Sequence, residues 1–191
     1  MSKAELRQSA LKARHSIPRH AAASLSESVK SRVLSLSAFS KARVVACYVS
    51  KDDEVQTSAI IKAALSMGKR VIVPRVDPSS TELQFREIRS LSELSPGHFH
   101  IMEPSPTSEE LPLSSADIVL VPVVAWDEQG HRIGYGKGYF DRALKSKEGA
   151  FAVGLAFESQ RYDWIPQTPS DSSLEMVVTE KRTITLVRPN R

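Results

Sequence analysis

The segment RIGYGKGYF, which begins at Arg132, carries a glycine at every second position in its centre. These glycines are Gly134, Gly136 and Gly138, and Lys137 lies between the last two. Because glycine has no Cβ, successive backbone N–H groups in such a loop can face an anion. The lysine adds a mobile positive charge, and the arginine adds a planar fork that fits phosphate oxygens. The residues therefore predict a phosphate-binding loop, with a structural glycine turn as the alternative interpretation.

A predicted helix, YFDRALKSK, begins near Tyr139 directly after the glycine loop. The N-terminus of a helix carries free N–H groups and the positive end of the helix dipole, so it favours a bound phosphate. Asp141 lies one turn after Lys137, where its carboxylate could hold Mg²⁺ on a nucleotide or simply favour the helix N-terminus. The loop lacks the Walker A pattern, because Gly138 follows the lysine. It also lacks the dinucleotide pattern, because Tyr139 replaces the last glycine, so the predicted phosphate site is of another kind.

The elements that position this loop alternate between helical and strand patterns. Apolar residues recur at helical spacing in the segments 3–17, 19–36 and 56–68. Short apolar or β-branched runs predict strands at 43–49, 70–74, 83–88, 116–126, 150–157, 176–180 and 182–187. Residues 90–115 are rich in Pro, Ser and Glu and are expected to be mostly loop. The alternation predicts a three-layer α/β fold, a Rossmann-like single domain over residues 1–191 with a mostly parallel central sheet flanked by helices.

Three loops are expected to meet at one edge of this sheet. In open parallel sheets, ligands bind beyond the carboxyl ends of the strands. The polar turn SKDDE at 50–54 follows the first strand, Pro74 and Arg75 end the second, and the glycine loop follows the strand IVLVP. The topology therefore predicts that the binding site lies at this edge of the sheet.

The composition limits the classes of protein and of ligand. The chain has 191 residues, a formal net charge of +4 and 41% hydrophobic residues, as is usual in soluble globular proteins. Its basic residues are spread along the chain, which favours small anionic ligands over nucleic acid. No apolar run reaches the roughly 18 residues that cross a membrane. We expect a cytoplasmic monomer that binds neither nucleic acid nor a membrane.

The cysteine and the histidines do not indicate a metal centre. Cys47 is the single cysteine and lies in an apolar strand segment, so a buried thiol is expected rather than a disulfide or a thiolate ligand. His98 and His100 are two residues apart in a proline-rich loop, and the other histidines lack a partner at metal-binding spacing. Surface or local hydrogen-bonding roles are therefore expected for the histidines.

The glycine segment resembles the signature of a known enzyme family. RIGYGKGYFD is similar to R-[LI]-G-x-G-[GK]-G-[YF]-[YF]-D of the 5-formyltetrahydrofolate cyclo-ligase family, also called methenyltetrahydrofolate synthetases. The preceding VPVVAWDEQGHR resembles the family's P-x-x-[AG]-[FW]-D-x-x-G-x-R. Further family motifs are similar to KAELR, SKDDEVQT, HIMEP and SDSSLEMVVTE. Because these pieces keep the family order and spacing along essentially the whole chain, the chain is identified as a member of this family.

The resemblance implies an ATP-dependent cyclisation of 5-formyltetrahydrofolate to 5,10-methenyltetrahydrofolate, with ADP and phosphate as products and Mg²⁺ as cofactor. In the family scheme, the formyl oxygen attacks the γ-phosphate, N10 closes on the activated carbon, and phosphate leaves. Phosphorylation turns the amide oxygen, a poor leaving group, into a good one. Phosphoryl transfer requires mainly that the protein position the reacting groups and neutralise their charge, which glycine amides, lysine, arginine and Mg²⁺ can do. The implied partners are the folate substrate and ATP.

The resemblance also assigns roles to individual residues. It implies that Lys137 and Arg132 are catalytic. The residues that it implies for ATP binding are Lys3, Arg7, Arg132, Ile133, Gly134, Tyr135, Gly136, Lys137, Gly138, Tyr139 and Phe140. Those that it implies for folate binding are Val49, Glu54, Phe99, Tyr135, Gly136, Lys137, Gly138 and Tyr139. Asp141 and Asp171 match the family's magnesium-linked acids, although Ser170 stands where relatives commonly carry His or Trp.

Several of these residues also have simpler interpretations. Lys3 and Arg7 share one helix face at i, i+4, so they could form a solvated face, and their terminal segment is expected to contribute little to the core. Glu54 could accept two hydrogen bonds from a pterin ring or be an acid of a solvated turn. Phe140 favours core packing at the start of its helix, and Phe99 either stacks on the folate or packs within its loop.

Two other functions stay open from the residues. A different α/β phosphate-binding enzyme, such as a sugar-phosphate isomerase or a coenzyme A-transferase relative, could use the same loop without ATP hydrolysis. Lys3, Arg7 and Glu54 argue against that enzyme. A non-catalytic folate-binding or RNA-binding protein is the second alternative. The intact lysine and acids of the signature argue against an inactive site, and the lack of basic runs argues against RNA.

Overall fold

The computed structural model of the protein describes residues 1–77 and 79–186. Its helices are α1 (Lys3–His15), α2 (Arg19–Ser35), α3 (Ser37–Lys41), α4 (Ser58–Ser66) and α5 (Tyr139–Lys145). Its strands are β1 (Val44–Cys47), β2 (Arg70–Val76), β3 (Leu83–Ile88), β4 (Ser95–Pro96), β5 (Met102–Glu103), β6 (Ile118–Pro122), β7 (Ala125–Trp126), β8 (Arg132–Ile133), β9 (Phe151–Leu155), β10 (Met176–Val178) and β11 (Thr183–Thr185). Val187, which ends the last predicted strand, lies outside the described residues. Within those residues, no helix has the length and apolar character to span a membrane.

Seven strands form the central sheet, in the order β11-β10-β9-β6-β1-β2-β3. The five inner strands pair in parallel, and the two edge strands pair antiparallel. Numbered by their order in the chain, the five parallel strands lie in the spatial order 2-1-3-4-5 from β2 to β10. This order is one of those found in doubly wound sheets. The winding reverses between β1 and β6, and such sheets bind ligands at the carboxyl ends that flank this reversal. The predicted mostly parallel sheet is confirmed.

Helices cover both faces of the sheet and bury two apolar clusters. On one face, α2, α3 and α4 pack on the strands through side chains that include Val33, Phe39 and Ile60. On the other face, α5 contributes Leu144 to a cluster that includes Val119 of β6. Successive residues of the inner strands enter opposite clusters, so these strands are apolar on both faces. The predicted three-layer α/β fold is therefore confirmed.

Helix α1 packs on the hairpin of β7 and β8 and forms a third, smaller apolar cluster. A capping box fixes its first turn, in which the side chains of Ser2 and Glu5 bond each other's backbone N–H. Leu6 and Ala10 are buried in the cluster. The expectation that this terminal segment contributes little to the core is therefore wrong, because the apolar face of α1 is already buried in its first two turns.

The apolar segment 116–126 is not one strand, although its sequence predicts one. Strand β6 ends at Pro122, and Ala125–Trp126 forms β7, which pairs with β8 outside the central sheet. The prediction is wrong for Ala125 and Trp126, because an apolar run indicates that residues are buried but not which sheet they join. Trp126 is fully buried without joining the central sheet. The β7–β8 hairpin ends directly at the glycine loop and so determines where the loop begins.

Residues 90–115 are mostly loop, as predicted, with a short hairpin of β4 and β5 and a few single turns. The hairpin lies beside the end of β2, where the backbone N–H of Val76 donates to Glu103 Oε1 at 3.3 Å. The segment therefore reaches the edge of the sheet at which the sequence predicts the binding site.

Candidate active site

One cavity of about 510 Å³ lies at the carboxyl edge of the sheet. Its walls include the turn after β1, the end of β2 and the glycine loop after β8, so the three predicted segments do meet at this edge. The residues that the sequence predicts for the site all line this cavity: Lys3, Arg7, Val49, Glu54, Phe99, residues 132–140, Asp141 and Asp171. Side chains from distant parts of the chain thus face one space.

The backbone of the glycine loop is left-handed at two positions. Gly136 and Gly138 have φ angles of 98° and 70°, which glycine adopts without steric cost. The Arg7 guanidinium packs against the loop, since a Cβ on Gly136 would lie 3.3 Å from its Cζ atom. Arg142 leaves still less room at Gly138, where a Cβ would lie 2.8 Å from its Nη1 atom. The loop is therefore a closely packed backbone surface between two arginines.

Lys137 is the exposed cation of the loop and is available to a ligand. It lines the cavity, and its ammonium makes no hydrogen bond or ion pair with any residue in the described part of the chain. Arg7 reaches the same loop from α1, where its Nε donates to the Gly134 carbonyl at 2.8 Å. This bond orients the Arg7 guanidinium, so two cations are presented beside one backbone surface.

Two ion pairs hold two carboxylates beside the loop. Lys3 pairs with Asp171, and Arg132 Nη2 donates to Asp141 Oδ1 at 2.8 Å. Burial by itself raises the pKa of Asp171, but hydrogen bonds from Lys3 and Thr168 outweigh it, so this pKa lies below the usual value. Burial lowers the pKa of Arg132, although the negative charges of Asp141 and Asp171 act to raise it. Asp171 is therefore ionised, and the two pairs keep the charge of this wall nearly balanced.

Glu54 is a buried carboxylate on the wall that follows β1. It is 6% exposed, whereas the side chain of the neighbouring Asp52 is 72% exposed, so Glu54 is not an acid of a solvated turn. Its Oε2 atom accepts a hydrogen bond from the Lys51 backbone N–H at 2.9 Å. Burial raises the pKa of Glu54, and the bonds from Lys51 and the Tyr135 hydroxyl, with the charge of Arg14, oppose this rise.

Arg14 connects the glycine loop to the turn that carries Glu54, and no role was predicted for it. It is 2% exposed. Its Nη2 donates to the Tyr135 hydroxyl at 2.6 Å, and its Nε donates to Asp53 Oδ1 at 3.0 Å. A sequence signal exists, because Arg14 lies four residues after Ala10 and continues the buried face of α1. A cation on such a face requires a buried partner.

Phe99 lies on the outer wall of the cavity and is 48% exposed. Its φ of 56° is left-handed, and its ring centroid lies 6.4 Å from that of Tyr139. Glu103 is 2% exposed and accepts hydrogen bonds from the backbone N–H groups of Val76 and His98. Glu103 was predicted only as part of a motif, and these hydrogen bonds join the Phe99 loop to the end of β2.

The apolar wall is shared between the cavity and the core. Val49 lines the cavity and packs against the cluster under α2 and α4. Phe140 also lines the cavity and packs against both large clusters, as its position predicts. The Tyr139 ring centroid lies 5.3 Å from the Arg142 Cζ atom. Helix α5 is thus anchored at its first turn, which fixes the end of the glycine loop.

A comparison with known protein families agrees with the motifs and with this geometry. Residues 1–180 match the model of the 5-formyltetrahydrofolate cyclo-ligase family. The chain belongs to this family. The resemblance carried by the motifs is therefore confirmed, and the matched residues include those of the glycine loop, α1 and the turn after β1.

Named cyclo-ligases are similar to the chain over most of its length. The 5-formyltetrahydrofolate cyclo-ligase of Escherichia coli is 35% identical over 145 residues, which cover 74% of this chain and 80% of that protein. The 5-formyltetrahydrofolate cyclo-ligase of Mycolicibacterium smegmatis is 31% identical over 195 residues, which cover 98% of each. The NMR structure of Aquifex aeolicus 5,10-methenyltetrahydrofolate synthetase is 34% identical, with a TM-score of 0.88 and coverage of 100% of this chain and 96% of that one.

In this cyclo-ligase family member, Asp141 and Asp171 both line the cavity beside the glycine loop. No group of three His, Cys, Asp or Glu side chains suited to a metal ion occurs in residues 1–77 and 79–186. Mg²⁺ is commonly bound by one or two protein carboxylates, with phosphate oxygens and water as the other ligands. The two aspartates therefore fit a magnesium ion that arrives with a nucleotide.

Proposed function

We propose that the protein catalyses the ATP- and Mg²⁺-dependent cyclisation of 5-formyltetrahydrofolate to 5,10-methenyltetrahydrofolate, with release of ADP and phosphate. The supporting observation is that one cavity has two chemically different walls. The glycine loop and its cations suit phosphate groups. The buried Glu54 carboxylate suits the paired N–H donors of a pterin ring. Membership of the cyclo-ligase family supports folate as the substrate that joins these two walls.

Lys137 and Arg132 are the proposed catalytic residues at the phosphate wall. The Lys137 ammonium can move to the γ-phosphoryl group, because the structure gives it no other described partner. The Arg132 guanidinium is 4% exposed and oriented by Asp141, so it offers a fixed positive charge. Preorganised charges of this kind stabilise the charge that develops during phosphoryl transfer. Lys3 and Arg7 are proposed to bind the remaining phosphates of ATP.

Asp141 and Asp171 are the residues proposed to hold Mg²⁺. Each carboxylate is oriented by a cationic partner, Arg132 and Lys3 respectively, so neither needs to reorganise far to meet a metal ion. Their side chains are 24% and 15% exposed, which leaves access from the cavity. When bound, Mg²⁺ would neutralise part of the charge of the triphosphate.

The chemistry requires the formyl oxygen near the γ-phosphorus and N10 near the formyl carbon. Attack of the oxygen on phosphorus breaks the bond to ADP and leaves the formyl group as a phosphorylated imidate. N10 then adds to the formyl carbon and loses its proton, and the C–O bond breaks with phosphate as the leaving group. The protein supplies proximity, because Glu54 holds the pterin while the glycine loop holds the phosphates.

The proposal predicts a near-ultraviolet absorbance band when the protein, 5-formyltetrahydrofolate, ATP and Mg²⁺ are mixed. The product 5,10-methenyltetrahydrofolate has this band, and the substrate lacks it. We expect the band only with ATP, a lower rate in EDTA, and ADP and phosphate in amounts equal to the product. Folate binding without any band would favour the non-catalytic alternative. An undiminished rate in EDTA would contradict the need for a divalent metal.

A second prediction concerns Glu54 and pH. Replacing Glu54 with glutamine removes charged hydrogen bonds and should raise the KM for folate on the order of 10- to 100-fold. The KM for ATP should stay nearly unchanged. Because burial raises the pKa of Glu54, protonation should weaken folate binding as pH falls, starting above the value of about 4.3 of an ordinary glutamate.

Initial rates at varied folate concentration over a series of pH values from neutral downward would test this. The wild-type KM for folate should rise toward low pH, and the Glu54→Gln protein should lose that dependence. Asp52→Asn is the matched control, since it neutralises an exposed acid in the same turn. Equal effects of the two substitutions would contradict the role of Glu54.

A further inference from the structure

Arg14 is a buried cation that the reaction does not itself require. It lies in the last turn of α1 and is 2% exposed. Burying a guanidinium is unfavourable unless its N–H groups find partners. Asp53 supplies the opposing charge, through contacts to Arg14 Nε at 3.0 Å and Nη2 at 2.9 Å. In the described part of the chain, the guanidinium also donates to a neutral group of the site, the Tyr135 hydroxyl.

The contact between Arg14 and Tyr135 is fixed in two ways. The hydroxyl accepts a hydrogen bond from Nη2 at 2.6 Å, and the Tyr135 ring centroid lies 5.6 Å from the Arg14 Cζ atom. A phenol that accepts a bond from a guanidinium keeps its own proton to donate. The buried Glu54 carboxylate lines the same cavity as Tyr135 and directly follows Asp53, the other partner of Arg14. Hydrogen bonding to Tyr135 and the charge of Arg14 both act to lower the pKa of Glu54.

We propose that Arg14 is a positioning residue for the folate end of the site: it holds the Tyr135 hydroxyl and Asp53 beside Glu54 and thereby positions the Glu54 carboxylate for the pterin. This inference rests on the proposed function, which assigns the pterin to Glu54. The arrangement suits an arginine, because Nε and Nη2 contact Asp53 together while Nη2 also donates to the Tyr135 hydroxyl. A lysine ammonium would carry the charge without the fork.

The first test compares Arg14→Met with Lys12→Met, which removes an exposed cation from the same helix. Arg14→Met should raise the KM and the Kd for folate on the order of 10-fold. The KM for ATP and kcat should change by less than about twofold, since Arg14 does not line the cavity. Lys12→Met should leave all of these values unchanged. Arg14→Lys should behave like Arg14→Met, because the fork rather than the charge is needed.

The second test uses Tyr135→Phe, which keeps the half-exposed ring and removes the hydroxyl. This variant should raise the folate KM to a similar extent, and adding Arg14→Met to it should have less than about twofold further effect. An unchanged folate KM in Tyr135→Phe, or effects that simply add in the double variant, would overturn the inference. Tyr135→Phe decides the question even where Arg14→Met fails to fold.

These outcomes are separable from a failure of the proposed function. Wild-type turnover is measured first by the methenyltetrahydrofolate absorbance, and folate affinity is measured independently by equilibrium titration. A wild-type protein that binds folate without turnover would contradict the proposed function, while the affinities of the variants would still test Arg14. An active wild type with equal losses of ATP and folate affinity in Arg14→Met would overturn the inference alone.

Discussion

Replacing Lys137 with alanine is expected to lower kcat on the order of 10- to 100-fold, the equivalent of about 1.4 kcal/mol per decade. A charged donor that meets a phosphate contributes roughly 1.5–3 kcal/mol. The Lys137 ammonium has no partner among the residues that the structure describes, so its contact forms with the ligand. If that contact strengthens as the γ-phosphoryl group moves, its loss appears in kcat. The KM for folate should change little, because Glu54 holds the pterin.

Steady-state rates at saturating folate and ATP would measure this effect. Lys62→Ala is the matched control, because Lys62 is an exposed lysine of α4 that does not line the cavity. It should leave kcat unchanged. A Lys137→Ala protein with normal kcat and lower thermal stability would show that the glycine loop is a structural turn and not a phosphate site.

Replacing Gly136 with valine is expected to lower kcat/KM for ATP by more than about 100-fold. The φ of Gly136 is 98°, a conformation that costs an L-residue roughly 1–2 kcal/mol or more. A Cβ at this position would lie 3.3 Å from Arg7 Cζ, so a branched side chain would displace the guanidinium. It would also keep a phosphate away from the backbone. The loop would thus lose its shape and a neighbouring cation together.

Gly149→Val provides the control for Gly136→Val. A Cβ on Gly149 meets no atom within 4 Å, so this substitution should leave ATP kinetics unchanged. Far-ultraviolet circular dichroism of both variants would establish that they fold. A folded Gly136→Val protein with wild-type kcat/KM for ATP would contradict the assignment of the loop to phosphate binding.

The glycine loop and its helix could be predicted because their determinants are local in the sequence. Gly136 and Gly138 take the left-handed backbone that glycine allows, and α5 begins at Tyr139 as expected. The alternating pattern also predicted the sheet, since β-branched runs and amphipathic segments alternate along the chain. Because ligands bind at the carboxyl edge of such sheets, the turn that carries Glu54 was predicted to lie near the loop, and both line the same cavity.

Contacts between distant residues could not be predicted in the same way. Arg14 and Tyr135 are 121 positions apart, and no local rule pairs them. Trp126 shows a related limit, because its apolar run indicated burial but not that β7 leaves the central sheet. Glu103 was quoted within a motif, yet only the structure shows that it fastens the Phe99 loop to β2. Burial and partner choice depend on the assembled fold.

The central claim is that the formyl oxygen attacks the γ-phosphate of ATP in this cavity. The most direct test follows an isotope: 5-formyltetrahydrofolate labelled with oxygen-18 in its formyl group is converted by the protein with unlabelled ATP, and the released phosphate is analysed by mass spectrometry. The claim predicts that the formyl oxygen is recovered in the inorganic phosphate in an amount equal to the methenyltetrahydrofolate formed. Unlabelled phosphate, with the oxygen-18 recovered in water instead, would contradict it.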